Sequence, residues 1–167
     1  MPVLDQFTFE CLSHGEEQTQ RLGSRLGALL PAHSVVALSG TLGAGKTQFA
    51  RGIGAGWGAL QPLRSPTFTM VQEHHRSSDN NTLYHIDLYR IDNSAGLQSL
   101  GLEEILEDEH GTCIIEWAER AGQLVPLDAI RIEMEMTNES KRHLTFSTRT
   151  AQTWQILLAF RKSAFGV

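Results

Sequence analysis

"ALSGTLGAGKTQFARGIG", Ala37 to Gly54, sets glycines at 40, 43 and 45 between an apolar run and a helical one. Glycine loses the most conformational freedom on ordering, so glycines this close together serve a geometric need. Gly40-Thr41-Leu42-Gly43-Ala44-Gly45-Lys46-Thr47 fits G-x-x-x-x-G-K-[ST], the phosphate-binding loop. Backbone N–H groups must converge on phosphate oxygens, and glycine permits both the approach and the dihedrals. The following helix offers unpaired N–H groups and about half a positive charge at its N-terminus. Lys46 adds a full charge toward the β- and γ-phosphates, and Thr47 a hydroxyl for Mg²⁺. Gly40, Gly43, Ala44, Gly45, Lys46, Thr47 and Gln48 are therefore assigned to nucleotide binding. The motif also sits in its required context, after an apolar strand and at the start of a helix.

Working outward, "HGEEQTQRLGSRLGALL" carries Leu22, Leu26, Leu29 and Leu30 at helical spacing and predicts a helix of about four turns ending before Pro31. "SVVALSG" reads as a buried strand. "KTQFARGIGAGW" predicts the helix after the glycines, frayed near its end by Gly52, Gly54 and Gly56. "TFTMVQEHH" and "TLYHIDLYR" read as an antiparallel hairpin around the turn "RSSDNN". "LQSLGLEEILED" reads as one helix, "TCIIEW" as a continuous apolar strand. "DAIRIEMEMT" alternates, with Ile130, Ile132, Met134 and Met136 on one face, and "HLTFSTR" is its hairpin partner. "AQTWQILLAFRK" closes the chain as an amphipathic helix with cations in its last turn. Strands flanked by helices, with hairpins inserted, predict an α/β fold: a single P-loop NTPase-like domain over residues 1–167, with a mixed β-sheet flanked by helices.

The chain's 167 residues suffice for one domain with a real core. At 41% apolar and 20% charged, the composition is that of an ordinary globular protein, with no apolar run long enough for a membrane span. The opening "MPVLDQFTFE" lacks the pattern of a signal peptide, so the expected location is the cytoplasm. Cys11 and Cys113 lie far apart, with no metal-type spacing. A formal net charge of −5 argues against binding nucleic acid by bulk charge, though not against a local basic patch.

A P-loop alone does not name the base. The chain lacks the N-K-x-D motif of signalling GTPases, which favours ATP. A Mg²⁺ site next needs a carboxylate at the end of a neighbouring apolar strand. "CIIE" ends a fully apolar run in Glu116, whereas "YHID" places Asp87 after a mixed one. Buried central strands read as continuous apolar residues, so the Glu116 strand belongs beside the P-loop strand. Glu116 takes the metal-side role, and Asp87 that of a second acid orienting water or metal near the γ-phosphate. Each acid has a plain alternative, as a helix cap or an Arg partner. In "RSPTFT", Pro66 fixes the backbone after Arg64 and Ser65, and Thr67 offers a hydroxyl where P-loop proteins sense the γ-phosphate. An ordinary loop leading into a strand reads the same way.

With "GTLGAGKT", "SPTFT", "HIDLYR" and "IEWAER" in this order, from Gly40 to Arg120, the chain resembles the bacterial TsaE family of tRNA threonylcarbamoyladenosine biosynthesis. "GEEQTQRLG", Gly15 to Gly23, resembles the family's first helix. The resemblance implies a small ATPase that binds and slowly hydrolyses ATP with Mg²⁺. It implies TsaD and TsaB, the threonylcarbamoyl transferase complex, as partners that the ATPase resets between turnovers, with tRNA met only through that complex and no membrane involved. By similarity Lys46 contacts phosphate, Thr47 and Glu116 hold Mg²⁺, Asp87 supports hydrolysis, "SPTFT" is switch-like and Trp117 lies near the nucleotide. One departure is Thr41, where the family commonly has Asp; it bears on hydrolysis rate more than on binding.

Other features fit plainer roles. The segment from Gly101 to Glu119 holds acids and no Lys or Arg, which suits a docking face or, more simply, a solvated helix face. His85 and Asp87 share a strand face, as a catalytic pair or a structural one. His74, His75 and His85 lack a fourth zinc ligand. Arg90 suits either an acid or phosphate. Trp57, Trp117 and Trp154 are too dispersed for a base-stacking platform. Two other functions share these motifs: a small-molecule P-loop kinase, for which the chain lacks an Arg-rich lid segment, and a binding module gated by nucleotide without turnover.

Overall fold

A computed structural model describes residues 7–66 and 69–167. Its strands are β1 (Thr8–Ser13), β2 (Val35–Gly40), β3 (Val71–His75), β4 (Thr82–Asp87), β5 (Gly111–Glu116), β6 (Ile130–Met136) and β7 (Arg142–Ser147). Its helices are α1 (Glu16–Gly27), α2 (Lys46–Trp57), α3 (Ser94–Leu100), α4 (Leu102–Glu107) and α5 (Ala151–Phe165). A 3₁₀ segment, Ala118–Leu124, follows β5. The strands form one seven-stranded sheet in the order β1-β7-β6-β2-β5-β4-β3. β2 lies parallel to both β5 and β6, and β4 parallel to β5; the β1–β7, β6–β7 and β3–β4 pairs are antiparallel. The mixed sheet and both hairpins match the sequence reading, as does the placement of β5 beside the P-loop strand.

Helices cover both faces. Val36 and Leu38 pack with Leu26 of α1, Phe49 and Ile53 of α2 and Phe160 of α5. Val35 and Ala37, one residue out of phase, point the other way toward Leu97, Leu102 and Ala118. This two-sided burial is why "VVAL" is unbroken apolar sequence. Where β6, β7 and β1 form the antiparallel half of the sheet, the pattern alternates instead. Ile130, Ile132 and Met134 are buried, and Met136 at the strand's end is exposed.

The structure differs from the sequence reading at four places. β1 was not anticipated: "TFECLS" shows no clean alternation, and it becomes a strand because β7 supplies its ladder from Thr8↔Ser147 to Ser13↔Arg142. "LQSLGLEEILED" is two short helices, broken at Gly101, whose φ of +75° ends α3 and starts α4. α1 stops at Gly27, and Leu29 and Leu30 complete a turn by donating to the carbonyls of Leu26 and Gly27. α2 does not fray at its glycines; it runs unbroken to Trp57. Gly52 and Gly56 instead let α1 approach backbone to backbone, while Gly54 makes room for the Leu63 side chain. A Cβ at Gly52 would lie 2.1 Å from the Gln20 carbonyl oxygen, and one at Gly56 1.9 Å from that of Ser24. From the other side, a Cβ at Gly23 would lie 2.3 Å from the Phe49 oxygen, and one at Gly27 2.2 Å from the Ile53 oxygen. The spacing of four within each helix keeps the seam on one face. Among the described residues, no helix is long and apolar enough to cross a membrane.

Candidate active site

A cleft of about 390 Å³ lies beyond the C-terminal ends of β2, β4 and β5. This is where open α/β sheets hold ligands, because helix N-termini and strand-end side chains converge there. The P-loop forms its floor. Gly40, Gly43 and Gly45 have φ of +136°, +81° and +100°, all in the region that L side chains avoid. Gly40 has a second constraint: a Cβ there would meet the Met134 carbonyl oxygen at 2.2 Å, because β6 pairs with β2 up to that residue.

Lys46 is 5% exposed, and its Nζ donates to the carbonyls of Gly40 and Thr41, each at 2.8 Å. The ammonium also stands 4.2 Å from the centroid of Trp117, within cation–π range. Burial pushes its pKa below the usual lysine range, while Glu119, Glu116 and Asp87 favour its charge. Thr47 Oγ1 donates to Glu116 Oε1 at 2.8 Å. The other carboxylate oxygen, Oε2, lies 2.6 Å from His85 Nε2. Asp87 and Glu116 are directly paired across β4 and β5, so their side chains share a face. Asp87 Oδ1 accepts from the Tyr89 N–H at 2.9 Å.

Trp117 has φ +57° and ψ +42°, a left-handed conformation that costs a bulky residue about 1–2 kcal/mol. It turns the indole over Lys46 instead of continuing β5. The ring also packs on Tyr89 at 5.0 Å. Arg120 lies over both rings, 5.3 Å from Trp117 and 5.5 Å from Tyr89. Its Nη1 donates to the carbonyl oxygens of Tyr89 and Ile91. The chain after β4 is thus tied to the chain after β5.

Gly43, Gly45, Lys46, Thr47, Gln48, Asp87, Glu116 and Trp117 all line the cleft. Gly40 and Ala44 lie beneath it: Ala44 is fully buried, and its N–H donates to the Thr41 carbonyl at 3.1 Å. Ser65 lines the cleft, while Thr67 lies outside the described residues. Sequence reasoning missed Glu16 and Thr19 at the start of α1, Leu42 at the loop tip, and Arg142. Arg142 begins β7, and a Cβ on Gly45 would lie 3.6 Å from its Nε. Its sequence neighbourhood offers no motif; only the β6–β7 hairpin brings it to the phosphate loop.

The oxygens of Thr47, Glu116 and Asp87 form a hard donor set of the kind Mg²⁺ takes when nucleotide phosphates complete its shell. The same crowding of acids bears on stability. Burial raises the Asp87 pKa above the usual carboxylate value, with Glu116 adding to it and the Tyr89 N–H, His85 and Lys46 opposing. A folded-state pKa above the unfolded one means that the native state holds the proton longer. Stability therefore falls as pH rises from the unfolded pKa near 4 through the folded value. Asp87→Asn removes that penalty and keeps an oxygen for the Tyr89 N–H. We expect a higher melting temperature at pH 7 and no gain at pH 3, read by calorimetry; equal shifts at both pH values would refute the assignment.

A family profile described as threonylcarbamoyl adenosine biosynthesis protein TsaE matches residues 13–144. Curated proteins named tRNA threonylcarbamoyladenosine biosynthesis protein TsaE are similar over most of their length. The one from Treponema pallidum is 36% identical over 81% of this chain and 97% of its own. Those from Bacillus subtilis and a Nostoc species are 32% and 41% identical, covering 78% and 71% of this chain and 80% and 75% of theirs. The crystal structure of Bacillus subtilis YdiB superposes with a TM-score of 0.76 at 26% identity, covering 93% of this chain and 95% of that one. Sequence profile, relatives and P-loop NTPase-like architecture agree: the chain belongs to the TsaE family.

Proposed function

We propose that this protein is a Mg²⁺-dependent ATPase of the tRNA threonylcarbamoyladenosine modification system, slow alone and stimulated by partners, which resets a TsaD–TsaB transferase complex between turnovers. The observation that carries the reading is the contact of Thr47 with Glu116 at 2.8 Å, beside the buried Lys46 and within the cleft that Asp87 also lines. Gly43, Gly45 and the start of α2 present N–H groups to a triphosphate, and Lys46 exchanges its two carbonyl partners for phosphate oxygens. Thr47 and Glu116 hold Mg²⁺, which neutralises charge on the β- and γ-phosphates when bound. Asp87 orients the attacking water at the γ-phosphate. Gln48 and Trp117 bound the nucleotide from the sides, Trp117 excluding water above Lys46.

Family membership supports the biosynthetic setting, and it supports TsaD and TsaB as the proteins that meet this chain, with tRNA reached through them. The test is ATP hydrolysis by the protein alone, then with its cognate TsaD–TsaB complex, with and without tRNA. We expect turnover to rise with the complex and to need Mg²⁺. Unchanged turnover on adding the complex, with nucleotide binding intact, would refute partner-coupled hydrolysis and leave a binding module. Phosphate transfer to an added small-molecule acceptor would point to a kinase.

A further inference from the structure

His85 is fully buried on β4, two residues before Asp87. Its direct partner across the ladder is Ile114. Glu116 is therefore its diagonal neighbour on the same sheet face, within reach of a long side chain. The outcome is the 2.6 Å contact between His85 Nε2 and Glu116 Oε2. Glu116 is itself 2% exposed, so both of its oxygens are held by protein: one by Thr47, the other by His85. These holds differ in kind. Thr47 is a short side chain at the start of α2, and its hydroxyl must turn to take a cation. His85 is locked in the sheet.

The contact also fixes a proton. A carboxylate oxygen accepts only, so Nε2 must carry the hydrogen; a bare Nε2 would set two acceptors face to face. Nδ1 is buried without a protein partner among the described residues, so nothing there competes for that proton.

We infer that His85 is a positioning residue for the metal side of the cleft. Its Nε2–H pins one oxygen of Glu116, so that the carboxylate keeps its place when Thr47 releases the other oxygen to Mg²⁺. This rests on the proposed function, since it assigns His85 to the Mg²⁺ that accompanies the nucleotide. Carboxylates that bind metals depend on such outer partners for orientation, and losing one weakens metal binding about 10- to 100-fold. A merely structural histidine would instead alter the fold or all nucleotide binding equally.

The experiment titrates Mg²⁺ into the protein with ADP and with a non-hydrolysable ATP analogue, reading binding by calorimetry. Wild type, His85→Leu and His85→Gln are compared, with binding in EDTA as the metal-free reference. We expect His85→Leu to raise the Mg²⁺ concentration for half-maximal binding about tenfold. Metal-free affinity should stay within about twofold, and His85→Gln, whose amide still donates, should recover most of the loss. A Mg²⁺ dependence in wild type that a folded His85→Leu variant keeps within about twofold would overturn the role of His85 alone. Nucleotide binding by wild type that ignores Mg²⁺ would overturn the proposed function instead. Should His85→Leu not fold, ¹⁵N spectra of the wild-type imidazole decide: a proton on Nε2 supports the inference, and one on Nδ1 alone overturns it.

Discussion

Replacing Gly56 with alanine should lower the melting temperature by roughly 4–8 °C, although helix propensity alone predicts the opposite. Gly to Ala inside an exposed helix gains about 1 kcal/mol. Here the new Cβ would sit 1.9 Å from the Ser24 carbonyl oxygen, an atom of the α1 backbone that no rotamer change relieves. The helices must part, and the neighbouring approach at Gly52, where a Cβ would lie 2.1 Å from the Gln20 oxygen, loosens with them. Overpacking of this severity costs about 3 kcal/mol, the top of the usual range, which leaves a net loss of about 2 kcal/mol after the propensity gain, and a domain of this size loses roughly 2–4 °C per kcal/mol. Thermal unfolding followed by circular dichroism checks it. A melting temperature equal to or above that of wild type would mean that α1 and α2 do not meet at this distance.

Lys46→Ala should cut ATP affinity at least about a hundredfold. The ammonium is buried and holds two carbonyls at 2.8 Å, so its charge is poorly shielded by water. Each charge-assisted hydrogen bond it would make to a phosphate oxygen contributes about 1.5–3 kcal/mol. The loop should survive the change, because Ala44 still donates to the Thr41 carbonyl and the glycines keep their dihedrals. Arginine is no equivalent substitute: its planar fork differs in shape and donor geometry from the compact ammonium that lies 4.2 Å from the Trp117 ring. Titration calorimetry with ATP and Mg²⁺ gives the answer, and an affinity within about threefold of wild type would remove Lys46 from the phosphate-binding role.

The phosphate loop was legible because its demands are local. Gly40, Gly43 and Gly45 all take positive φ, which glycine alone adopts freely, and Lys46 follows them in sequence as in space. Glu116 was legible from the burial of β5 on both faces, which leaves an unbroken apolar run ending in an acid. Apart from Leu42, which lies within the loop itself, what escaped depends on elements far apart in sequence. Arg142 reaches the cleft only through the β6–β7 hairpin, and Glu16 and Thr19 only through the packing of α1 on α2. His85 meets Glu116 because β4 and β5 align in one particular register; the sequence offered only Asp87, two residues on, as its partner. Gly52 and Gly56 of α2 were misread because their neighbours in sequence say "flexible". Their neighbours in space, carbonyl oxygens of another helix, say "close".

The sheet order also sets a schedule. β1 leaves the ribosome first among the described strands, yet among the described residues its one ladder partner is β7, with Thr8 opposite Ser147. At about 5–20 residues per second, the partner emerges roughly 7–27 seconds later. Until then β1 has no strand to complete it, and the sheet's far side must close over one of the longest loops the chain can form. The P-loop strand waits as well, since β5 and β6 flank it and both are made after it. The nucleotide cleft is thus assembled late in synthesis, when the C-terminal third of the chain arrives to hold the N-terminal third in place.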